Sequence, residues 1–161
     1  GSLTLVEEPF RNVTTGGVAD PRVSVTDMAR KTGDALTDDW RQNKYQGPAV
    51  PIPIARYAEA QLIIAETAGG QTAVNIINAL RAPYGLPEFS STDEAEIQAE
   101  VLEERRKEFF LEGHRLGDIR RHNLPLVPAA GTPYPKSGTY GDLRCFPLPA
   151  VERLNNPNIP D

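Results

Sequence analysis

The sequence predicts a mainly α protein: a tetratricopeptide-like helical hairpin plus one long helix, set among extensive irregular loops. Three observations predict this. The chain has 15 prolines, yet none lies in residues 54–82 or 88–124. Proline breaks helix interiors, so these two stretches are free to be helical throughout. Both carry apolar residues at helical spacing. Between them, Gly69-Gly70 and Pro83 supply the stops that separate consecutive helices.

Length and composition bound the rest. A chain of 161 residues suits one domain. The expected organisation is an irregular segment over 1–50, a helical core over 51–124 and a C-terminal loop segment over 125–161. A net charge of −5 and balanced basic runs argue against nucleic acid as a partner. No apolar run approaches the ~18 residues that a membrane-spanning helix requires. Cys145 is the single cysteine, so an internal disulfide is excluded and so is a thiolate metal cluster. His114 and His122 stand eight apart with no third ligand at metal-binding spacing, and no metal or cofactor is expected.

Residues 3–6 and 23–25 read as short extended segments. Asp20-Pro21-Arg22 reads as a turn and Thr14-Thr15-Gly16-Gly17 as a loop. Asp38 to Tyr45 is polar around two aromatics and is expected to form at most one helical turn. Pro51-Ile52-Pro53 opens the first helix, because proline fits the first turn. Ile54, Ala58, Leu62 and Ala65 form its stripe, and Gly69-Gly70 ends it. Ala73, Ile76, Ile77 and Leu80 mark a second helix, stopped by Pro83. Arg56 to Phe89 spans one tetratricopeptide length, about 34 residues. Ser91 and Glu94 make a capping-box pattern that starts the third helix, predicted to run from Asp93 to about Asn123. Gly113 and Gly117, four apart, predict a kink in it or close approach by another segment. Residues 128–142 are a loop by composition. Phe146-Pro147-Leu148-Pro149 is extended, with one helical turn at Ala150 to Leu154.

Glu103 to Arg121 holds the densest charge, five acids and six bases in nineteen residues. Helical spacing offers the pairs Arg105–Glu108, Glu112–Arg115, Arg115–Asp118 and Asp118–Arg121. Glu104, Glu108 and Glu112 repeat like charge every four residues, which alone destabilises a helix. Partners elsewhere, such as Arg56, would resolve that conflict. Three readings compete: a structural clamp, carboxylates for acid/base work, or a surface for a polar ligand or partner. No nucleophile, phosphate loop or metal set accompanies the carboxylates, so the clamp is favoured and no catalytic residue is assigned. The clamp residues are Glu104, Arg105, Glu108, Glu112, Arg115 and Asp118, and truncating Glu108 or Arg115 is expected to destabilise the fold. Trp40, Tyr45, Tyr134 and Tyr140 lie in irregular segments, where aromatic faces either cap the core or stack on sugar rings.

Four stretches, in order, resemble the C-terminal third of the SusD/RagB family of outer-membrane nutrient-binding lipoproteins. They are Lys44-Tyr45 leading into PIPIARYAEAQLIIAE (51–66), NIINALRAPYGLPEF (75–89), VLEERRKEFFLEGHRLGDIRR (101–121) and FPLPAVERLNNPNIP (146–160). The resemblance implies a helical, non-enzymatic protein on the outer face of the outer membrane. It would capture an oligosaccharide or other nutrient and pass it to a TonB-dependent transporter. It also implies an N-terminal lipid anchor outside these 161 residues, and Cys145 is not that anchor. The alternative is a generic helical-hairpin interaction module without a small ligand.

Overall fold

The computed structural model describes residues 6–47, 49–146, 148–149 and 151–152. Residues 3–5 of the expected extended segment 3–6 lie outside these residues, and the expected turn at Ala150 to Leu154 is described only at Val151 and Glu152.

The described chain is helix-rich but not all-α. It has four helices, α1 (Tyr57–Ala68), α2 (Gly70–Arg81), α3 (Glu94–Glu108) and α4 (Arg115–Arg121). Two small antiparallel hairpins precede them, β1 (Thr14–Thr15) with β2 (Val18–Ala19) and β3 (Val25–Lys31) with β4 (Asp38–Gln42). The expected helical turn at Asp38 to Tyr45 is therefore corrected to a strand. The register pairs Val25 with Gln42, Thr26 with Arg41 and Asp27 with Trp40, and is interrupted between Asp27 and Lys31. Such a hairpin is fixed by a remote partner strand, which a local pattern of polar residues does not announce.

α1 begins at Tyr57, six residues later than Pro51 suggested. Its buried positions are Ala58, Leu62 and Ala65. α2 follows after one residue. Gly69 makes this possible: its φ is +61°, and a Cβ there would sit 2.2 Å from Glu94 Oε1. The same carboxylate accepts a 2.9 Å hydrogen bond from the Gly70 N–H, so α3 caps the start of α2. α3 is itself capped by Asp93, which accepts from the Ala95 and Glu96 N–H groups. Ser91 instead bonds Glu96, so the cap lies two residues beyond the expected one.

The long helix predicted over 93–123 is two helices. After Glu108 the chain turns through Leu111 at φ +61° and Gly113 at φ +84°. A left-handed leucine costs about 1–2 kcal/mol, so the break is imposed by what lies on either side. Phe109 and Phe110 explain it. Phe109 belongs to the main core with Leu62, Ala65, Ala73, Val74, Ile77, Ile97 and Val101. Phe110 belongs to a second cluster with Val6 and Val23, against which Phe10 and Trp40 pack. A continuous helix would point these neighbours about 100° apart on one rod. Ending α3 at Phe109 lets each ring fill its own core.

Candidate functional site

The charged helix resolves into a ladder. Glu100, Glu104, Glu108 and Glu112 recur every four residues, so they line one side of α3 and its exit. Cations from four separate segments alternate with them. Arg81 from the end of α2 binds Glu100 and, at 2.7 Å, Glu104. Arg22, just before β3, binds Glu104 at 2.5 Å and approaches Glu108 at 3.5 Å. Arg56, before α1, binds Glu108 at 2.8 Å and Glu112 at 3.0 Å. Lys44 closes the ladder on Glu112 at 2.5 Å. The repeating acid that destabilises an isolated helix is thus matched rung by rung. Glu104 is wholly buried, and Arg22, Arg81 and Glu108 are buried beside it.

Three predicted pairings are corrected. Arg105 does not reach Glu108; it forks onto Asp118 at 2.8–3.2 Å across the break. Arg115 pairs with neither Glu112 nor Asp118, and no ion pair or hydrogen bond of its side chain occurs among the described residues. Glu112 is taken by Lys44 and Arg56, and Asp118 by Arg105. The pair Asp118–Arg121 is present but loose, at 3.4 Å. Arg115 therefore leaves the clamp, and Arg22, Arg81 and Glu100 join it. Their sequence signal was the four-residue glutamate period, extended one step back to Glu100.

Asp20 anchors the ladder's N-terminal side. Burial alone would raise its carboxyl, but hydrogen bonds from Arg22 and Thr15 outweigh burial and hold it at about 2. A depressed carboxylate stabilises the fold above its unfolded value, near 3.9, and that stabilisation disappears as pH falls through the folded value. Acid titration followed by circular dichroism should therefore show about 2 kcal/mol lost between about pH 4 and pH 2. In Asp20→Asn this component should vanish; an unchanged acid profile would refute the assignment.

Of the four aromatics, two meet and two stand elsewhere. Tyr134 and Tyr140 meet edge to face, centroids 5.2 Å apart. The loop that carries them is a small hairpin, closed by Gly131 N–H to Tyr140 O at 2.8 Å and Tyr134 N–H to Gly138 O at 2.9 Å. They border a cleft of about 240 Å³ with Glu7, Arg11 and Lys136. The Tyr140 hydroxyl donates to Glu7 at 3.2 Å, and Lys136 pairs with Asp34 at 2.9 Å. Glu7, Arg11 and Lys136 were not legible in the sequence, because only the fold brings residues 130 apart together. Trp40 lies apart from this cleft, packed on the second core beneath Arg11. Tyr45 lies beside the foot of the ladder, its buried hydroxyl without a hydrogen-bond partner among the described residues. Burial, and next the charge of Glu112, raise that hydroxyl's pKa.

No group of three or more metal-ligating side chains occurs among the described residues. No helix among them is long and apolar enough to cross a membrane. The buried carboxylates are each paired with cations, which ties α3 and its exit to the segments that carry Arg22, Lys44, Arg56 and Arg81. A protein-family model described as the SusD family matches residues 13–144. No curated protein and no solved structure matches the chain.

Proposed function

The chain belongs to the SusD family, and from that premise we propose that it binds a glycan for a TonB-dependent transporter at the outer-membrane surface. The family's members are binding proteins and not enzymes, and membership implies a nutrient-binding partner of a SusC-like uptake system. The match over 13–144 carries this reading. The glycan is the finer step. It is supported by the cleft of Tyr134 and Tyr140, where apolar ring faces stand beside Glu7, Arg11 and Lys136. That combination suits a sugar, which offers an apolar C–H face and hydroxyls at its edge.

Calorimetric titration against a panel of oligosaccharides and peptides tests it, together with co-purification of the transporter. A sugar should bind, and Tyr134→Ala or Tyr140→Ala should weaken it about five- to tenfold, the value of one aromatic contact. Binding by peptides only, or sugar binding unchanged in both variants, would remove the glycan. Failure to bind any ligand or transporter would sink the whole reading.

A second reading draws on a different surface. Ile52, Ile54, Tyr57, Ile63 and Ile64 leave an exposed apolar side on and before α1, with Ile54 97% exposed. A helical hairpin that binds protein and no small ligand would use such a face. Charge substitution at Ile64 that abolishes transporter co-purification, with no sugar bound by the parent, would favour it.

A further inference from the structure

A second cavity, of about 520 Å³, opens beside the helix break. Its volume falls within the ~300–1,000 Å³ of sites for small organic molecules. Phe10, Phe110, Leu111, Leu116 and Phe146 give it apolar walls. Its polar groups are few, and their partners decide what it can hold.

Two of them are arginines, in different states. Arg106 is neutralised by a two-pronged contact with Glu103 at 2.6 and 2.7 Å, donates to the Pro9 carbonyl at 3.1 Å and lies over the Phe10 ring. Arg115 lines the same cavity and is partly buried, yet forms no ion pair or hydrogen bond among the described residues. Of the two acids whose charge reaches it, Glu103 is held by Arg106 and Asp118 by Arg105. Burial, and next the like charge of Arg106, push the Arg115 guanidinium below its usual range. An unpaired cation in apolar surroundings is costly unless an anion meets it. A carboxylate is the planar anion that fits its fork of donors. Glu7 also borders the cavity, and its charge disfavours a dianion such as a phosphate monoester.

We propose that this cavity binds a small organic carboxylate with an apolar body, its carboxylate held by Arg115 and its body against Phe10, Phe110, Leu116 and Phe146. The site adjoins the tyrosine cleft, with Val6 and Glu7 as a shared wall, but neither tyrosine lines it, and the inference does not rest on the sugar reading.

The test is calorimetry on the 161-residue chain with 4-phenylbutyrate and naphthalene-1-acetate, each against its neutral amide. Acid and amide share the apolar body and nearly the same shape, and the amide lacks the charge and the second acceptor oxygen. The acids should bind at least tenfold more tightly than the amides, the size of one charge-assisted hydrogen-bond pair. Arg115→Gln should bring each acid down to the level of its amide, and Arg115→Lys should restore part of the difference. Tyr134→Ala should leave both unchanged, which separates this site from the tyrosine cleft. The proposal is overturned if the amides bind as well as the acids, or if Arg115→Gln keeps the preference. It is equally overturned if neither acid shows saturable binding up to about 10 mM, well above the 1 mM scale of weak ligands. The comparison of acid with amide in the parent chain decides the matter even should a variant fail to fold.

Discussion

Glu104→Ala should lower the thermal midpoint by roughly 6–20 °C. Glu104 has no exposed surface, and its two oxygens serve Arg22 at 2.5 Å and Arg81 at 2.7–2.8 Å. Removing the carboxylate takes one partner from each of two buried guanidinium groups at once, leaving Arg22 on Asp20 and Arg81 on Glu100. Breaking a buried pair from one side costs about 3–5 kcal/mol. For a chain of this length each kcal/mol moves the midpoint by about 2–4 °C. Glu104→Gln should lose most of the same amount, because the amide keeps the shape but not the charge. Glu100→Gln is the contrast. Glu100 shares Arg81 with Glu104, its side chain is 23% exposed, and burial pushes its carboxyl up. Its loss should cost under about 1 kcal/mol, as for a partly exposed pair. Equal effects at 100 and 104, or a midpoint unmoved within a degree or two at 104, would refute the ladder as the element that holds Arg22 and Arg81.

Asp118→Ala should destabilise the chain by about 3–5 kcal/mol and release α4 first. Asp118 and Arg105 are both buried, and their fork spans the break between α3 and α4. Arg105 Nη1 already lacks a partner, so the substitution would leave all three guanidinium nitrogens unpaired in the interior. Hydrogen exchange reads the consequence directly. Amides of Ile119 to Arg121 should lose protection at lower denaturant than those of Leu62 or Ile97. If α4 instead exchanges together with the hairpin in both parent and variant, the fork is not what docks it.

The hairpin of α1 and α2 was legible because its signals are local. Gly69 must be glycine, Pro83 stops α2, and Leu62, Ile77 and Ala73 repeat at helical spacing. The split at residues 109–114 was legible only in part: Gly113 and Gly117 signalled a kink, not that the helix would end before them. Nothing in Glu103 to Arg121 forbids a continuous helix; the break follows from two cores, one claimed by Phe109 and the other by Phe110. Pairing failed for a related reason. Arg105 looks three residues ahead to Glu108 when read locally, but Glu108 is taken by Arg56 from 52 residues away. Strands β3 and β4 were hidden in polar sequence, since each is defined by the other. In the candidate sites, aromatic residues in loops could be picked out, whereas the meeting of Tyr140 with Glu7, or the cavity that Arg115 shares with Phe146, depends on how distant segments return to one another.

The ladder also sets an order of assembly. Its rungs close chain loops of very different length: 23 residues from Arg81 to Glu104, 52 from Arg56 to Glu108, 68 from Lys44 to Glu112 and 82 from Arg22 to Glu104. Closing the longest loop costs about 1 kcal/mol more than the shortest, by the logarithmic dependence on length. Arg81 arrives with α2, whose packing on α3 already draws it close. Arg22 must be brought in with the whole β-rich N-terminal segment. On loop length alone, closing α2 onto α3 is cheaper than drawing in the segment before them, so the ladder's far rungs lean on the packing of the near ones.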